Sequence, residues 1–526
     1  MVLIYRDIYG MEPRAGLFVR AMLEGKGFFC PLLYDKPYPD YPFLYFLISW
    51  PICKIVKGVC TLCLALPSLV SSVLLIISTF LFSRRFIGEK TAYVASLIVG
   101  SIPQFWLMAE KATIDMMLAF FSFCANLFLF KGYFEKKEGL SIYVWLGWLF
   151  IALSYFVKGP IGIVITVGPM TIFLLIKRRL QSLKVFLASS FILICLILLV
   201  HFIGIYIQGG DKLVRNVIDA QLFSRLGGPA NKPFYYYFIF LFTAYSPWLL
   251  FLSIRALLSI RSINFSNGFQ TIYADFKWYM ASNEFIQFMA INTFVAIAPF
   301  IVASSRHGRY LLPAFAPISI IMAPLITKWM SHCDERHINL LKKGILFFVV
   351  FLSLLFFVIF ILDPARSKLS LQVFAFYITL SVIIFFIFFF QKQTTLSLLS
   401  SFAVSVLIAT SGISLLVEPG ISFKESGREF VIHTENSKNV QGVFLVGIRP
   451  DGDGLKYSLF SRYYPERLYF LKYESPICQI PSNSIVVLYE KKFKLLRERN
   501  RCLEKFPIIS RGYIHGKETV ALYFGF

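Results

Sequence analysis

Twelve apolar stretches dominate this chain, each close to the roughly 20 residues that a helix needs to cross a bilayer. They cover residues 64–83, 91–109, 113–130, 141–157, 160–176, 185–207, 235–254, 284–304, 310–327, 344–362, 369–390 and 395–417. In lipid, such a run can satisfy its backbone hydrogen bonds only as a helix or in a closed barrel. Runs of this length and number point to a polytopic, mainly α bundle. That excludes an ordinary soluble enzyme, a disordered chain and a disulfide scaffold. Composition agrees: 57% of residues are hydrophobic and 15% charged, against about 45–50% and 25% in soluble proteins. One further apolar stretch, 42–59, contains Pro42, Pro51, Lys54 and Lys57 and reads as an interfacial helix.

The formal net charge is +23. In a soluble protein that would suggest nucleic acid, but here the basic residues lie mostly in the loops. The chain is therefore read as contacting membrane lipids and phosphate-bearing substrates, with no nucleic acid. One alternating set of loops holds 18 Lys and Arg residues and the other 10, so the first set is expected in the cytoplasm. Residues 1–63 and 418–526 then share the outer side. No span precedes residue 64 to carry the first segment across, so a first transmembrane helix upstream of Met1 is expected. Three regions follow: 1–63, an outer loop segment with juxtamembrane helices; 64–417, a bundle of about 12 helices; and 418–526, a small soluble α/β domain.

In that last region Val443–Gly447, Ser484–Tyr489 and Thr519–Phe524 read as strands and Lys491–Asn500 as a polar helix. Of the nine cysteines, most sit in apolar runs and read as small hydrophobes. Cys60 and Cys63 form a C-x-x-C with no second pair, which argues against a metal site. Cys478 and Cys502 could pair in an oxidising compartment.

Five polar features interrupt the outer loops. The first is the N-terminal segment, with Asp7, Glu12, Arg14, Asp35, Lys36 and the run Tyr38-Pro39-Asp40-Tyr41-Pro42. It is either a solvated loop or, being long and aromatic, a functional one. Glu110-Lys111-Ala112-Thr113-Ile114-Asp115 follows, placing Asp115 at the mouth of a span. There it is a helix N-terminal acid behind a Thr113 cap, or a functional carboxylate at membrane depth. Lys158-Gly159-Pro160 breaks one helix and starts another, and its lysine can snorkel or bind phosphate. Arg306-His307-Gly308-Arg309-Tyr310 offers two guanidinium groups that either anchor at the interface or grip phosphate. The last, Asn231-Lys232-Pro233 before Tyr235-Tyr236-Tyr237, reads foremost as an aromatic belt.

All five features fall on one face of the membrane. Together they suit displacement of a phosphate from a sugar. A carboxylate would take the proton of an acceptor hydroxyl while cations hold the departing phosphate. Aromatic side chains would stack on the sugar.

At these residues the chain resembles the integral-membrane glycosyltransferases of the GT-C fold, and most closely the lipid A aminoarabinose transferase and protein O-mannosyltransferase superfamily. The likeness covers roughly residues 7–420, with a looser match for the tail. It rests on Met11-Glu12-Pro13-Arg14, Val19-Arg20-Ala21-Met22-Leu23, Tyr38-Pro39-Asp40-Tyr41-Pro42, Asp115, Lys158-Gly159-Pro160 and Tyr310-Leu311-Leu312-Pro313. Two positions depart from the family pattern. Met11 replaces the first acid of a pair, and Tyr41 replaces a basic residue.

The resemblance implies a GT-C-like bundle and transfer of a sugar from a polyprenyl-phosphate donor. The acceptor would be an envelope lipid, glycan or protein on the outer face of the cytoplasmic membrane. Glu12, Asp115 and Asp40 are the catalytic candidates. Arg14, Lys158, Arg306 and Arg309 are the candidates for holding donor phosphate, and Tyr38, Tyr41, Lys232 and Tyr310 for lining the pocket. No cofactor is indicated, and whether a divalent metal joins the carboxylates is left open. Two competing classes are a lipid-linked sugar transporter or flippase and an inactive member of the same fold. A transporter would carry repeated halves and buried midplane charges, which the sequence lacks.

Overall fold

The computed structural model describes residues 6–134, 141–220, most of 232–303, 306–331, 395–426, 441–447 and most of 468–524. The apolar runs 344–362 and 369–390 lie almost wholly outside the described residues.

Ten of the twelve runs fall on described helices. Helix α1 (Glu12–Leu23) leads to a two-stranded hairpin, β1 (Leu32–Leu33) and β2 (Lys36–Pro37), and to α2 (Leu44–Ile55). The bundle continues through α3 (Thr61–Ile87), α4 (Glu89–Gly100), α5 (Pro103–Ala109) and α6 (Ile114–Phe134). Next come α7 (Ile142–Lys158), α8 (Pro160–Ile176), α9 (Leu180–Ile218), α10 (Tyr236–Ile260), α11 (Phe265–Ser282) and α12 (Glu284–Val302). Helices α13 (Leu312–Ser331) and α14 (Thr395–Ser426) complete it. Among the described residues, six helices are long and apolar enough to cross a membrane, or seven if α4 and α5 form one broken span. The protein is a multi-span membrane protein.

The differences from the run boundaries have local causes. The run 91–109 is bent by 63° between α4 and α5, because Ile102 is extended ahead of Pro103, as the residue before a proline prefers. The runs 141–157 and 160–176 become 17-residue helices, short for a perpendicular crossing. Helix α9 is kinked at Gly209 and Gly210, and Gly210 takes a left-handed φ of +64° that favours glycine. Helix α14 continues to Ser426, past the expected boundary at 418.

Small residues let the helices approach, as is usual where lipid removes the hydrophobic drive between them. A Cβ added to Gly147 of α7 would sit 2.8 Å from Leu129 of α6, and one on Gly162 of α8 would sit 2.3 Å from the Ser154 carbonyl oxygen. A second buried cluster fastens the N-terminal segment to the bundle. In it Phe18, Tyr45 and Phe46 pack with Leu64, Met117 and Leu118. A Cys53–Cys63 disulfide joins α2 to the first turn of α3, correcting the expectation that these cysteines act as plain apolar fillers.

The C-terminal part is a five-stranded sheet in the order β4–β3–β5–β7–β6. Strand β3 (Gly442–Val446) runs parallel to β4 (Leu468–Leu471) and β5 (Ser484–Tyr489). Strands β6 (Ile508–Ile514) and β7 (Lys517–Phe524) pair antiparallel, with β7 also against β5. One helix, α15 (Glu490–Arg499), lies between β5 and β6 in sequence. Three strands and the helix match the sequence expectation, whereas β4 and β6 do not appear in it. Cys478 is disulfide-bonded, and Cys502 lies outside the described residues.

Candidate active site

Asp115 occupies the first turn of α6 and is buried, at 3% exposure. Of the two readings of this start, the one with Thr113 as cap is not met, because the Thr113 hydroxyl has no hydrogen-bond partner. The turn before the helix is held from elsewhere. The Ala112 N–H donates to Glu12 Oε1 at 2.7 Å, and the Ser68 hydroxyl donates to the Thr113 carbonyl at 2.9 Å.

Two cations face Asp115. Lys158 ends α7, where Gly159 takes a φ of +72° and Pro160 opens α8. A C-terminal glycine and an N1 proline are the residues that such a helix–helix corner needs. The corner turns the ammonium onto Asp115 Oδ1, with which it forms a buried ion pair. Arg309, in the 3-10 turn Gly308–Leu311, places Nε 3.2 Å from Asp115 Oδ2. Tyr310 lies beside both cations, its ring centroid 4.1 Å from Lys158 Nζ and 5.5 Å from the Arg309 guanidinium carbon.

These side chains line a cavity of about 40 Å³ together with Met11, Arg14, Phe18, Tyr41, Phe46 and Thr113. Arg14 donates to the Tyr38 hydroxyl at 2.8 Å and the Tyr41 hydroxyl at 3.4 Å. Its buried Nε–H has no partner. Three cations and one carboxylate thus share the cavity, and two buried donors in its wall are unsatisfied. Such donors are costly unless something accepts from them. The positive field extends beyond the cavity. His307 is pushed down from its ordinary pKa by burial and, in the same direction, by Arg309 and Lys232.

Several candidates lie elsewhere. Glu12 is buried in a two-pronged ion pair with Arg6, at 2.5 and 2.7 Å, and is not among the residues lining the cavity. Its oxygens are taken up by Arg6 and the Ala112 N–H, away from the cavity lining. Arg306 donates to the carbonyls of Lys232, at 2.6 Å, and Ile301, at 2.7 Å. It latches the end of α12 to the segment before α10. The Lys232 ammonium sits over the Tyr236 ring at 4.0 Å. Asp40 is half-buried beside Tyr41 and also outside the lining. Arg6, which no sequence pattern singles out, clamps both Glu12 and the Glu110 carbonyl. Among the described residues no three His, Cys, Asp or Glu side chains gather as a metal set, and the cations around Asp115 suit an anion better than a metal ion.

Comparison with known proteins bears on this geometry. Residues 40–203 match the dolichyl-phosphate-mannose-protein mannosyltransferase family. The solved ArnT of Cupriavidus metallidurans bound to undecaprenyl phosphate superposes with a TM-score of 0.70, covering 99% of this chain and 95% of that one at 15% identity. The chain has the GT-C fold. The same ArnT in its apo state gives a TM-score of 0.70 at 14% identity. Two curated relatives are more distant in coverage. A protein of Aquifex aeolicus (strain VF5) without an assigned function is 21% identical over 353 residues. The undecaprenyl phosphate-alpha-4-amino-4-deoxy-L-arabinose arabinosyl transferase of Wigglesworthia glossinidia brevipalpis is 24% identical over 368 residues. These matches take in 67% and 68% of this chain but only 63% and 61% of the relatives, less than two thirds of their length.

Proposed function

We propose that this GT-C protein transfers a sugar from a polyprenyl-phosphate donor to an envelope lipid, glycan or protein acceptor on the outer face of the cytoplasmic membrane. The observation that carries the reading is the cavity in which Lys158, Arg309 and Arg14 outnumber Asp115 and donor groups stand unpaired. A net positive pocket stabilises charge that develops on a leaving phosphate. The ArnT of Cupriavidus metallidurans, which shares the fold, binds undecaprenyl phosphate, and the curated arabinosyl transferase is named for the same lipid phosphate.

In this reading Asp115 takes the proton of the acceptor hydroxyl. The acceptor oxygen bonds to the anomeric carbon as the bond from that carbon to the phosphate oxygen breaks. The electron pair stays on the phosphate, where Lys158 and Arg309 balance it. Arg14, Tyr41 and Tyr310 form the wall on which the sugar rests, and Tyr38, outside the lining, holds Arg14 through its hydroxyl. Glu12 positions that wall from behind through the Ala112 N–H.

The test is donor affinity. Replacing Arg309 with Ala weakens binding of undecaprenyl phosphate by about 1.5–3 kcal/mol, the usual value of a hydrogen bond to a charged group. Lysine at 309 restores only part of it, because it lacks the planar fork. Unchanged affinity in the alanine variant would reduce Arg309 to an interface anchor.

The outer-face assignment is supported by the positive-inside count and by the Cys53–Cys63 disulfide, since such bonds persist in oxidising compartments. It leaves 1–63 and 418–526 as outer segments flanking the 64–417 bundle. Reporter fusions after Lys36 and after Asn483 should both read as external. A cytoplasmic signal from Asn483 alone would remove an odd number of spans.

A further inference from the structure

Asp115 has been given the proton, and Lys158 and Arg309 the phosphate, yet these three groups are already bonded to one another. Lys158 takes Oδ1 and Arg309 takes Oδ2. All three side chains are largely buried, with 15% exposure at most, so water screens these contacts little. With each oxygen engaged by a cation, the carboxylate can take a proton only if those contacts give way. The cavity is also small. Its roughly 40 Å³ falls far below the roughly 300–1,000 Å³ of sites that hold whole small molecules. A phosphate that binds Lys158 and Arg309 there meets cations already bonded to Asp115.

We propose that the donor's own phosphate releases the base: it takes Lys158 and Arg309 from Asp115, and the freed carboxylate then accepts the acceptor's proton. The proposal rests on the donor reading above and adds an order to it. Without donor the carboxylate is neutralised and the site is idle. When donor binds, its anionic oxygens replace Oδ1 and Oδ2 as partners of the two cations. Asp115 is left with both oxygens released toward the acceptor hydroxyl. After transfer the proton passes to solvent, the polyprenyl phosphate leaves, and the ion pairs re-form. Arg14 and the Thr113 hydroxyl have unpaired donors in the same wall and supply contacts for which Asp115 does not compete.

This makes a prediction of unusual sign. A residue that merely shapes the pocket lowers donor affinity when replaced. Asp115→Asn keeps the shape but removes the competitor, so undecaprenyl phosphate should bind about tenfold more tightly or better, by relief of like-charge repulsion at short range, while turnover is lost. Binding is measured by titration of the full chain in nanodiscs, beside Lys158→Gln. If Lys158→Gln weakens binding and Asp115→Asn does not strengthen it, the competition is wrong although the donor site stands. If Lys158→Gln leaves binding unchanged, the donor reading itself fails. Should Asp115→Asn not fold, the unsubstituted protein answers by infrared difference spectroscopy. Adding undecaprenyl phosphate should shift an aspartate carboxylate band, assigned by its displacement in Asp115→Glu. No such shift would overturn the proposal.

Discussion

Asp115→Asn is expected to lower turnover by about 10²–10⁴, the range in which a lost general base falls, which is about 2.7–5.5 kcal/mol of barrier. The acceptor hydroxyl is a poor nucleophile near neutral pH, and Asp115 is the one carboxylate among the described residues lining the cavity. Asparagine preserves the size and one acceptor oxygen, so in a variant whose thermal unfolding shows it folded the loss reports proton transfer. Glu12→Gln is the contrasting variant. Glu12 faces Arg6 and the Ala112 N–H, so its replacement should cost stability first and leave the chemical step nearer its original rate. If Asp115→Asn retains a rate within about tenfold of the unsubstituted protein, below the effect of a general base, Asp115 is not the base. Half-buried Asp40 then becomes the leading carboxylate.

Much of the bundle was legible because its signals are local. A run of apolar residues fixes a helix in lipid whatever its neighbours do, and Lys158-Gly159-Pro160 announces a corner by residue type alone. The same punctuation places Asp115 and Arg309 at helix starts, so the sequence could nominate them together. Which way a side chain turns is not local. Arg306 and Arg309 stand three residues apart with the same chemistry, yet one donates to carbonyls and the other pairs with Asp115. Glu12 is a candidate base by the family motif and its polar loop, but neither shows what it pairs with. Its partner, Arg6, meets it through a fold that also carries the 110–112 turn. Cys53 and Cys63 belong to separate helices, and nothing in their spacing distinguishes a bridge from apolar filling. In the sheet domain, Leu468–Leu471 is very short and Ile508–Ile514 is interrupted by Ser510, Arg511 and Gly512, so neither shows the alternation that marks a half-buried strand.

Arg6→Ala is expected to destabilise the protein by about 3–5 kcal/mol, the cost of leaving one member of a buried ion pair without its partner. Both side chains are nearly inaccessible, and the guanidinium grips both oxygens of Glu12. With the arginine gone, Glu12 keeps the Ala112 N–H at 2.7 Å and a long contact to the Tyr9 N–H at 3.5 Å, too little for a charge held out of water. The effect reaches the site through the chain. Arg6 also holds the Glu110 carbonyl, while the Glu110 carboxylate accepts from Ser414 of α14 at 2.6 Å. The turn that starts the Asp115 helix is therefore suspended between the N-terminal segment and α14. Replacing the pair together, Arg6→Met with Glu12→Leu, removes both charges and should recover most of the lost stability, as apolar replacements of buried pairs often do. It should not recover turnover, because the Ala112 N–H has lost its acceptor and the Glu110 carbonyl its clamp, so the turn before Asp115 is less firmly set. Thermal unfolding and turnover of the three proteins separate these effects. An Arg6→Ala protein that melts with the unsubstituted one would mean that the pair is dispensable. A double variant with full activity would mean that Asp115 is positioned by α6 alone.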